Sequence, residues 1–330
     1  MKTLLNQLYA REPLSRQSAY ETLSRIGNGE AGDMEIAAVV SAINMRPAVL
    51  SEIQGFRDAM LELARPIDLR GLETIDIVGT GGDGKNTFNI STLSSMIVAG
   101  AGYKVTKHGS YGVSSSVGSS DVLLALGYEF TNDEDTLLRT LDRAGICFFH
   151  APLFHPAMKN VAPVRKSLKV RSFFNLLGPL LNPAKPRYQL FGTYNREVLR
   201  IYDYILQDET EREYNIVHAL DGYDEISLTG AASVRSRERQ RLLHPADFGL
   251  EQLTQEALHG GDTAAEGKAI FLSVLEGKAT PAQRSVVCAN AGLAIHTIKP
   301  EQDLIACVAE AEESLNSGAA RQVLRTLVEA

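Results

Sequence analysis

The feature that most constrains the fold is a change of pattern near residue 74. Before it, apolar residues recur only at helical spacing, as in "RQSAYETLSRIGNG" and "AVLSEIQGFRDAMLELAR". After it, short apolar runs such as "TIDIV", "YKVTK" and "ICFFHA" alternate with helical segments. Strands that alternate with helices are typical of a parallel sheet covered by helices. The sequence therefore predicts an α/β fold, with a mainly parallel sheet flanked by helices and a small all-helical domain.

One central segment interrupts the alternation. The stretch "HPAMKNVAPVRKSLKVRSFFNLLGPLLNPAKP" is basic, divided by prolines and helical only in short pieces. We therefore expect part of it to return to the N-terminal helices. The small helical domain is predicted to comprise residues 1–68, joined by about 160–184, and the α/β domain to comprise residues 69–159 and 185–330.

Composition limits the classes of partner and the compartment. The net charge of −7 argues against a bulk electrostatic attraction to nucleic acid or to an anionic membrane. The three cysteines, Cys147, Cys288 and Cys307, are too widely spaced for a Cys-x-x-Cys metal site and do not suggest a disulfide framework. No signal-peptide pattern and no bilayer-length apolar stretch is visible. We therefore predict a cytoplasmic protein.

A glycine-rich loop, "DIVGTGGDGKNTFNIST", lies between the first strand and the next helix. Gly79, Gly81 and Gly84 fit the dinucleotide fingerprint, but the acidic residue expected after the second strand is replaced by "TKH". The loop also nearly fits the P-loop pattern, with Asn86 where a Ser or Thr should hold Mg²⁺. Both interpretations are weakened by these departures.

A third interpretation combines the loop with the segments that follow it. A carboxylate within the loop, Asp83, suits sugar hydroxyls or a hydrated metal better than a phosphate. Thr87, Asn89, Ser91 and Thr92 open a helix whose free N–H groups favour anions. A second polar helix start follows the next strand, in "KHGSYGVSSSVGSSD". These two starts predict a ligand with phosphate at both ends, such as a phosphorylated sugar diphosphate.

Two further features fit such a ligand. Asp224 and Glu225 follow a strand end and could reach hydrated Mg²⁺, which usually accompanies diphosphate. Arg165 follows a proline at a predicted helix start and could hold a carboxylate, although a surface charge is the simpler interpretation. His150 and His155 read as loop or packing residues. No pattern of a covalent nucleophile is present.

The segments "GTGGDG", "TFNIST", "KHGS", "HPAMK…PVRKSL", "FNLLGPLLNP" and "DGYDEISLTG" occur in the order found in anthranilate phosphoribosyltransferases. The resemblance covers essentially the whole chain. It implies a nucleoside phosphorylase/phosphoribosyltransferase-like fold and a homodimer formed through the helical domain. It also implies a step of tryptophan biosynthesis, in which phosphoribosyl pyrophosphate, Mg²⁺ and anthranilate are bound.

The resemblance further implies site residues. Ser91, Asp224 and Glu225 would hold Mg²⁺, and Gly79, Ser110 and Arg165 would face anthranilate. Lys107 would give electrostatic support, with no covalent nucleophile. The implied contacts with phosphoribosyl pyrophosphate are Gly79, Gly82, Asp83, Thr87, Asn89, Ile90, Ser91, Thr92, Lys107, His108, Gly109, Ser110, Tyr111, Gly112, Val113, Ser114, Ser115 and Ser119.

This chain departs from the family pattern at two positions. Ser110 stands where the family has Asn, so one hydroxyl donor replaces two amide donors near the aromatic acceptor. Tyr111 stands where many members have Arg, which is expected to reduce phosphate affinity.

Two alternative functions remain. One is a pyrimidine nucleoside phosphorylase-like glycosyl transfer, against which Arg165 and the Asp224–Glu225 pair argue. The other is a non-catalytic, nucleic-acid-binding relative, which should lack the glycine loop and be basic. No nucleic acid or membrane partner is therefore predicted.

Overall fold

The computed structural model describes residues 1–112 and 118–329. Val113, Ser114 and Ser115, three of the implied substrate contacts, lie outside the described residues. The strands are β1 Ile75–Gly79, β2 Val105–Gly109, β3 Ile146–His150, β4 Tyr188–Gly192, β5 Glu213–Ala219, β6 Ala232–Ser236 and β7 Gln240–Leu243. The helices are α1 Lys2–Tyr9, α2 Arg16–Gly27, α3 Asp33–Asn44, α4 Leu50–Glu62, α5 Ile90–Gly100, α6 Ser119–Ala125, α7 Glu134–Ala144, α8 Ala151–Phe154, α9 Ala162–Leu168, α10 Phe174–Leu177, α11 Arg196–Gln207, α12 Ala264–Leu275, α13 Pro281–Ile298, α14 Leu304–Asn316 and α15 Ala319–Val328.

The chain forms two compact units. The first unit comprises Met1–Ile67 and Ala151–Pro183, and the second comprises Asp68–His150 and the chain from Ala184 onward. Residues 151–159, which the sequence analysis assigns to the α/β domain, therefore belong to the helical unit. The reason is local: β3 ends at His150, and the next residues turn at once into α8, where the Phe154 carbonyl accepts a hydrogen bond from Arg65 N at 2.8 Å.

Close helix packing and one buried ion pair organise the first unit. Helices α2 and α4 approach so closely that a Cβ on Gly55 would lie 2.7 Å from the Cβ of Ala19. Glu52 is completely buried, and its Oε1 accepts hydrogen bonds from Leu14 N at 2.9 Å and from Arg46 Nη2 at 2.5 Å. The carboxylate thus joins the start of α4 to the residue that precedes the α2 N-cap.

The second unit contains a seven-stranded sheet in the order β3-β2-β1-β4-β5-β6-β7. The pairs from β3 to β5 are parallel, whereas β6 and β7 extend the sheet as an antiparallel hairpin. The predicted α/β class, with a mainly parallel sheet and a small helical domain, is confirmed. The chain winds outward from β1 through β2 to β3 and then returns to β4 on the other side of β1, so the strand order reverses between β1 and β4. In open α/β sheets, ligands bind at the carboxyl ends of the strands at such a reversal.

Helices α5 and α13 form the centre of the second unit's core. Both are buried on nearly all sides, so neither shows the one-sided apolar stripe of a surface helix. Two glycines permit close contact: a Cβ on Gly100 would lie 2.7 Å from Ala320 N, and one on Gly292 would lie 2.6 Å from Val308 Cγ2. This packing fixes the position of the α5 N-terminus relative to the sheet. Among residues 1–112 and 118–329, no helix is long and apolar enough to cross a bilayer.

Candidate active site

The glycine loop connects β1 to α5 at the carboxyl edge of the sheet, beside the reversal of strand order. Gly81, Gly82 and Gly84 have φ angles of 60°, 75° and 74°, which other residues rarely adopt. The side chain of Asp83 folds back on the loop, where its Oδ1 accepts a hydrogen bond from Lys85 N at 3.0 Å. The loop thus leads into the first turn of α5, and the N-terminus of a helix is a favourable place for an anion.

Two strand-ending glycines make room for Asp224. Gly79 of β1 and Gly192 of β4 are direct partners in the parallel ladder. A Cβ on Gly79 would collide with the Asp224 carboxylate, and one on Gly192 would collide with the Asp224 main-chain carbonyl. The carboxylate also accepts a hydrogen bond from Gly81 N at 2.7 Å. Asp224 is therefore seated against the ends of both strands and against the glycine loop.

Three carboxylates share this place. Burial, and secondarily the charge of Asp83, raise the pKa of Asp224 to about 6. Burial, Asp224 and Asp83 together raise the pKa of Glu225 well above its usual range, and burial raises the pKa of Asp83. The cluster is thus electrostatically strained, which is typical of functional sites.

The donor set of this cluster fits a hard divalent cation. Asp83 Oδ2 and Glu225 Oε1 are buried and have no hydrogen-bond partner among the described residues. Mg²⁺ usually takes one or two protein carboxylates and completes its shell with waters and substrate phosphates. Among the described residues, no group of three or more His, Cys, Asp or Glu side chains is placed to hold a metal ion by itself. The residues present therefore fit Mg²⁺ bound together with a phosphorylated ligand.

Lys107 lies beneath the glycine loop. Its side chain is buried, and its Nζ donates a hydrogen bond to the carbonyl of Ile77 at 2.6 Å. Burial lowers the pKa of Lys107 to about 8, against the opposing effect of the Asp76 charge. The neighbouring His108 is also buried, and its main-chain N donates to Asp76 Oδ1 at 3.3 Å. Lys107 is thus a buried cation behind the carboxyl edge, already bonded to β1.

The segment after β2 is held by its main chain. Ser120 N donates to the Ser110 carbonyl at 3.2 Å, and the Ser119 hydroxyl lies 3.4 Å from the same oxygen. Gly112 N and Gly118 N both donate to Asp121 Oδ2, each at 2.8 Å. These bonds fix the second polar helix start without using the Ser110 side chain.

An aromatic group surrounds His150 at the end of β3. The ring of Tyr111, a residue that is 45% exposed, meets the His150 ring edge to face at 4.9 Å, and Phe130 stacks on it at 4.3 Å. His150 Nδ1 lies 2.9 Å from the Ser120 hydroxyl, and burial lowers its pKa. In the first unit, burial lowers the pKa of His155 to about 4. Both histidines are thus packing groups, which are neutral at pH 7.

Arg165 lies on α9 in the first unit. Its guanidinium is 5.5 Å from the centre of the Phe174 ring, and burial lowers its pKa. Among the described residues, no carboxylate forms an ion pair with it. A partly buried guanidinium of this kind is suited to an external carboxylate.

Sequence reasoning missed the role of Gly192. The sequence contains a signal for this role, because the strands "DIVG" and "QLFG" both end in glycine, the residue that leaves room for a close contact. Their shared neighbour, Asp224, is distant in sequence from both and could be identified only from the fold.

Comparisons with known proteins give the family of the chain. Residues 71–321 match the family described as glycosyl transferase family, a/b domain, and residues 2–64 match its helical bundle domain. An anthranilate phosphoribosyltransferase of Cytophaga hutchinsonii is 52% identical over 328 residues, which cover 99% of this chain and 100% of that protein. A solved anthranilate phosphoribosyltransferase of Thermus thermophilus superposes with a TM-score of 0.90 at 34% identity and covers 99% of this chain and 98% of its own. The Saccharomyces cerevisiae enzyme, solved in complex with PRPP and Mg, gives a TM-score of 0.91 at 26% identity, with coverage of 99% and 96%. The chain therefore belongs to the anthranilate phosphoribosyltransferase family.

Proposed function

We propose that this chain transfers the phosphoribosyl group of phosphoribosyl pyrophosphate to the amine of anthranilate and releases pyrophosphate, in a Mg²⁺-dependent step of tryptophan biosynthesis. The observation that carries the proposal is the seating of Asp224 against two paired glycines and against the glycine loop. This arrangement supports the proposal, because a carboxylate suited to a metal ion lies beside a glycine loop suited to an anion, at the reversal of strand order.

The implied substrate contacts are proposed with their places in the fold. Gly82, Asp83, Thr87, Asn89 and the first turn of α5 would follow the pyrophosphate and the ribose. The segment 107–112 and Ser119 would approach from β2 and α6. Because Lys107 Nζ already donates to Ile77, we expect Lys107 to act through its charge rather than as a mobile arm.

The metal site is proposed at Asp224, Glu225 and Ser91. Asp224 and Glu225 face the same crowded space, and Glu225 has a buried oxygen without a hydrogen-bond partner among the described residues. When bound, Mg²⁺ would neutralise the charge that develops on the leaving pyrophosphate. Asp83, which raises the pKa of both acids, would contact the hydration shell of the metal or a sugar hydroxyl.

The chemistry requires positioning and charge stabilisation more than proton transfer. Displacement of pyrophosphate from C1 places positive charge on the sugar ring and negative charge on the leaving group. The main-chain N–H groups at the α5 N-terminus, together with the buried Lys107 cation, would stabilise the negative charge in an environment of low dielectric constant. The neutral aromatic amine of anthranilate can attack without a strong base and lose its proton afterwards.

Anthranilate recognition is proposed at Gly79, Ser110 and Arg165. Arg165 would hold the carboxylate, since its partly buried guanidinium lacks an internal acid among the described residues. Ser110 offers its hydroxyl where the family has a carboxamide, so we expect a weaker contact with the acceptor there.

We also propose a homodimer formed through the helical unit and a cytoplasmic location. Support for the dimer comes from large apolar side chains of that unit that are more than half exposed: Tyr9, Met34, Met45 and Val170. Such residues mark interaction surfaces when they are contiguous. Light scattering should give twice the mass of the chain, and a monomer at assay concentration would refute the dimer.

The test of function follows the fluorescence of anthranilate. The purified chain should consume anthranilate only when phosphoribosyl pyrophosphate and Mg²⁺ are both present, and chelation should stop the loss. Ribose 5-phosphate, which lacks the leaving group, is the matched control. No consumption with both substrates and Mg²⁺ would refute the proposed activity.

A further inference from the structure

A second segment of the chain lies against the glycine loop. Residues 255–262, here called the strap, begin as the 3₁₀ helix Gln255–Leu258 and end just before the N-cap of α12. Thr87 of the loop forms an isolated antiparallel bridge with His259 of the strap. Gly260 N donates to the Asn86 carbonyl at 2.7 Å. The loop is therefore paired through its main chain with a segment far away in sequence.

Side chains reinforce this pairing. Asn86 Nδ2 donates to the Gly261 carbonyl at 2.9 Å and lies 3.4 Å from Asp262 Oδ1. Lys85 Nζ lies 3.5 Å from Gln255 Oε1 and 4.6 Å from the centre of the Tyr223 ring. Residues 85–87 thus contact the strap at both of its ends.

Gly260 is the point of closest approach. A Cβ there would lie 2.5 Å from the carbonyl carbon and oxygen of Thr87 and 2.6 Å from Phe88 N. These are main-chain atoms, which cannot rotate away as a flexible side chain can. The φ of Gly260 lies outside the left-handed region, so space and not backbone conformation requires glycine at this position.

We propose that the strap is a positioning element that holds the glycine loop in its substrate-binding conformation before the phosphorylated sugar arrives, with Gly260 as its central positioning residue. This inference rests on the proposed function, because the loop is the proposed site for phosphoribosyl pyrophosphate. A glycine-rich loop has much conformational freedom to lose. Because the strap pairs with the loop, the loop loses this conformational entropy when the protein folds. The entropy cost of ligand binding is therefore smaller.

The main test compares Gly260→Ala with Gly230→Ala. Gly230 belongs to the same unit, and a Cβ there would meet nothing nearer than Asp221 Oδ2 at 3.7 Å. Gly260→Ala should raise the KM and the calorimetric Kd for phosphoribosyl pyrophosphate with Mg²⁺ by about tenfold or more, since forfeiting about 1.4 kcal/mol of preorganisation gives that factor. The KM for anthranilate should remain close to that of the wild type, and Gly230→Ala should leave all three constants unchanged.

A readout without substrate separates positioning from catalysis. Hydrogen exchange of the amides of residues 80–88 should be faster in Gly260→Ala, while exchange in the core of α5 and the midpoint of thermal unfolding stay near the wild-type values. A folded Gly260→Ala protein with wild-type loop exchange and wild-type affinity for the sugar diphosphate would overturn the proposal.

A second variant and a second readout decide the cases in which Gly260→Ala does not fold or the wild type does not bind the substrate. If Gly260→Ala does not fold, Asn86→Ala removes the side-chain bond to the strap and leaves the main chain intact. Faster loop exchange with weaker binding would then support the proposal, and unchanged values would overturn it. If the wild-type chain binds no phosphoribosyl pyrophosphate, the proposed function fails, and the exchange comparison alone decides whether the strap orders the loop.

Discussion

Replacing Lys107 with Met should change the pH dependence of the free energy of unfolding and should lower turnover. The ammonium group is buried, with 2% of the residue exposed, and its pKa is lowered from 10.5 to about 8. A pKa that is lower in the folded state means that the unfolded chain binds more protons between pH 8 and pH 10.5. The stability of the wild type should therefore rise with pH across that window. The shift corresponds to about 3 kcal/mol at 1.4 kcal/mol per pH unit.

Lys107→Met removes this titration while keeping an unbranched side chain of similar length. At pH 7 the variant loses the desolvation penalty of the ammonium, but it also loses the hydrogen bond to the Ile77 carbonyl, which contributes about 1–3 kcal/mol as a bond to a charged group. The difference in unfolding free energy, variant minus wild type, should fall by about 3 kcal/mol between pH 7 and pH 10.5. Turnover should drop by roughly a hundredfold, because the variant lacks the buried cation that we propose to stabilise the leaving group.

Urea unfolding of both proteins at several pH values between 7 and 10.5 measures this difference, and other titrating groups cancel in the comparison. Lys107→Arg keeps a permanent charge and serves as the matched control for the rate. If the difference in unfolding free energy is the same at every pH, Lys107 is not a depressed buried cation, and its proposed electrostatic role fails with it.

Three other variants test the site. Asp224→Asn combined with Glu225→Gln should lower turnover by about a hundredfold and raise the Mg²⁺ concentration needed for half-maximal rate; wild-type rates in the anthranilate fluorescence assay would exclude the metal role. Arg165→Gln should raise the KM for anthranilate about tenfold or more, as expected for losing a charged hydrogen bond of about 1.5–3 kcal/mol, and leave the KM for the sugar diphosphate unchanged. Gly192→Ala should displace Asp224 and lower the free energy of unfolding by about 1–3 kcal/mol together with turnover. Gly178→Ala, where a Cβ would meet no atom within 4 Å, is its control, and equal calorimetric and kinetic values for the two alanine variants would refute the steric argument.

Local signals were sufficient to predict much of this fold. The apolar runs at β1, β2 and β3 and the helical spacing before residue 74 depend only on neighbours along the chain, so the α/β class and the separate helical domain could be predicted from them. Residues 151–159 are predicted from the sequence to lie in the α/β domain, whereas they belong to the helical unit. No glycine and no change of charge marks the boundary at His150 in the sequence.

The glycine loop and the acidic pair could be recognised as motifs, but their geometry could not. That Gly79 and Gly192 end paired strands depends on the order in which distant strands join the sheet. The close approach of Gly260 to Thr87 could not be predicted either, because the two residues are far apart in the sequence and meet only in the folded unit. The burial of Lys107 could not be predicted from the sequence. A lysine in "VTKHG" would ordinarily be expected to contact solvent or a ligand, and only the assembled sheet shows that it is buried.

The buried carboxylates at the carboxyl edge of the sheet require contacts that hold them in place. Asp83 raises the pKa of both Asp224 and Glu225, and Asp224 raises that of Glu225, so these buried carboxylates are costly without a positive partner. Burying like charges in this way is tolerated only where the surrounding fold overdetermines the position of each group. The paired glycines fix Asp224, and the strap contacts the loop that carries Asp83. The scaffold therefore holds these carboxylates in place, and we expect the cation and the phosphorylated ligand of the proposed function to supply the missing charges and hydrogen-bond partners.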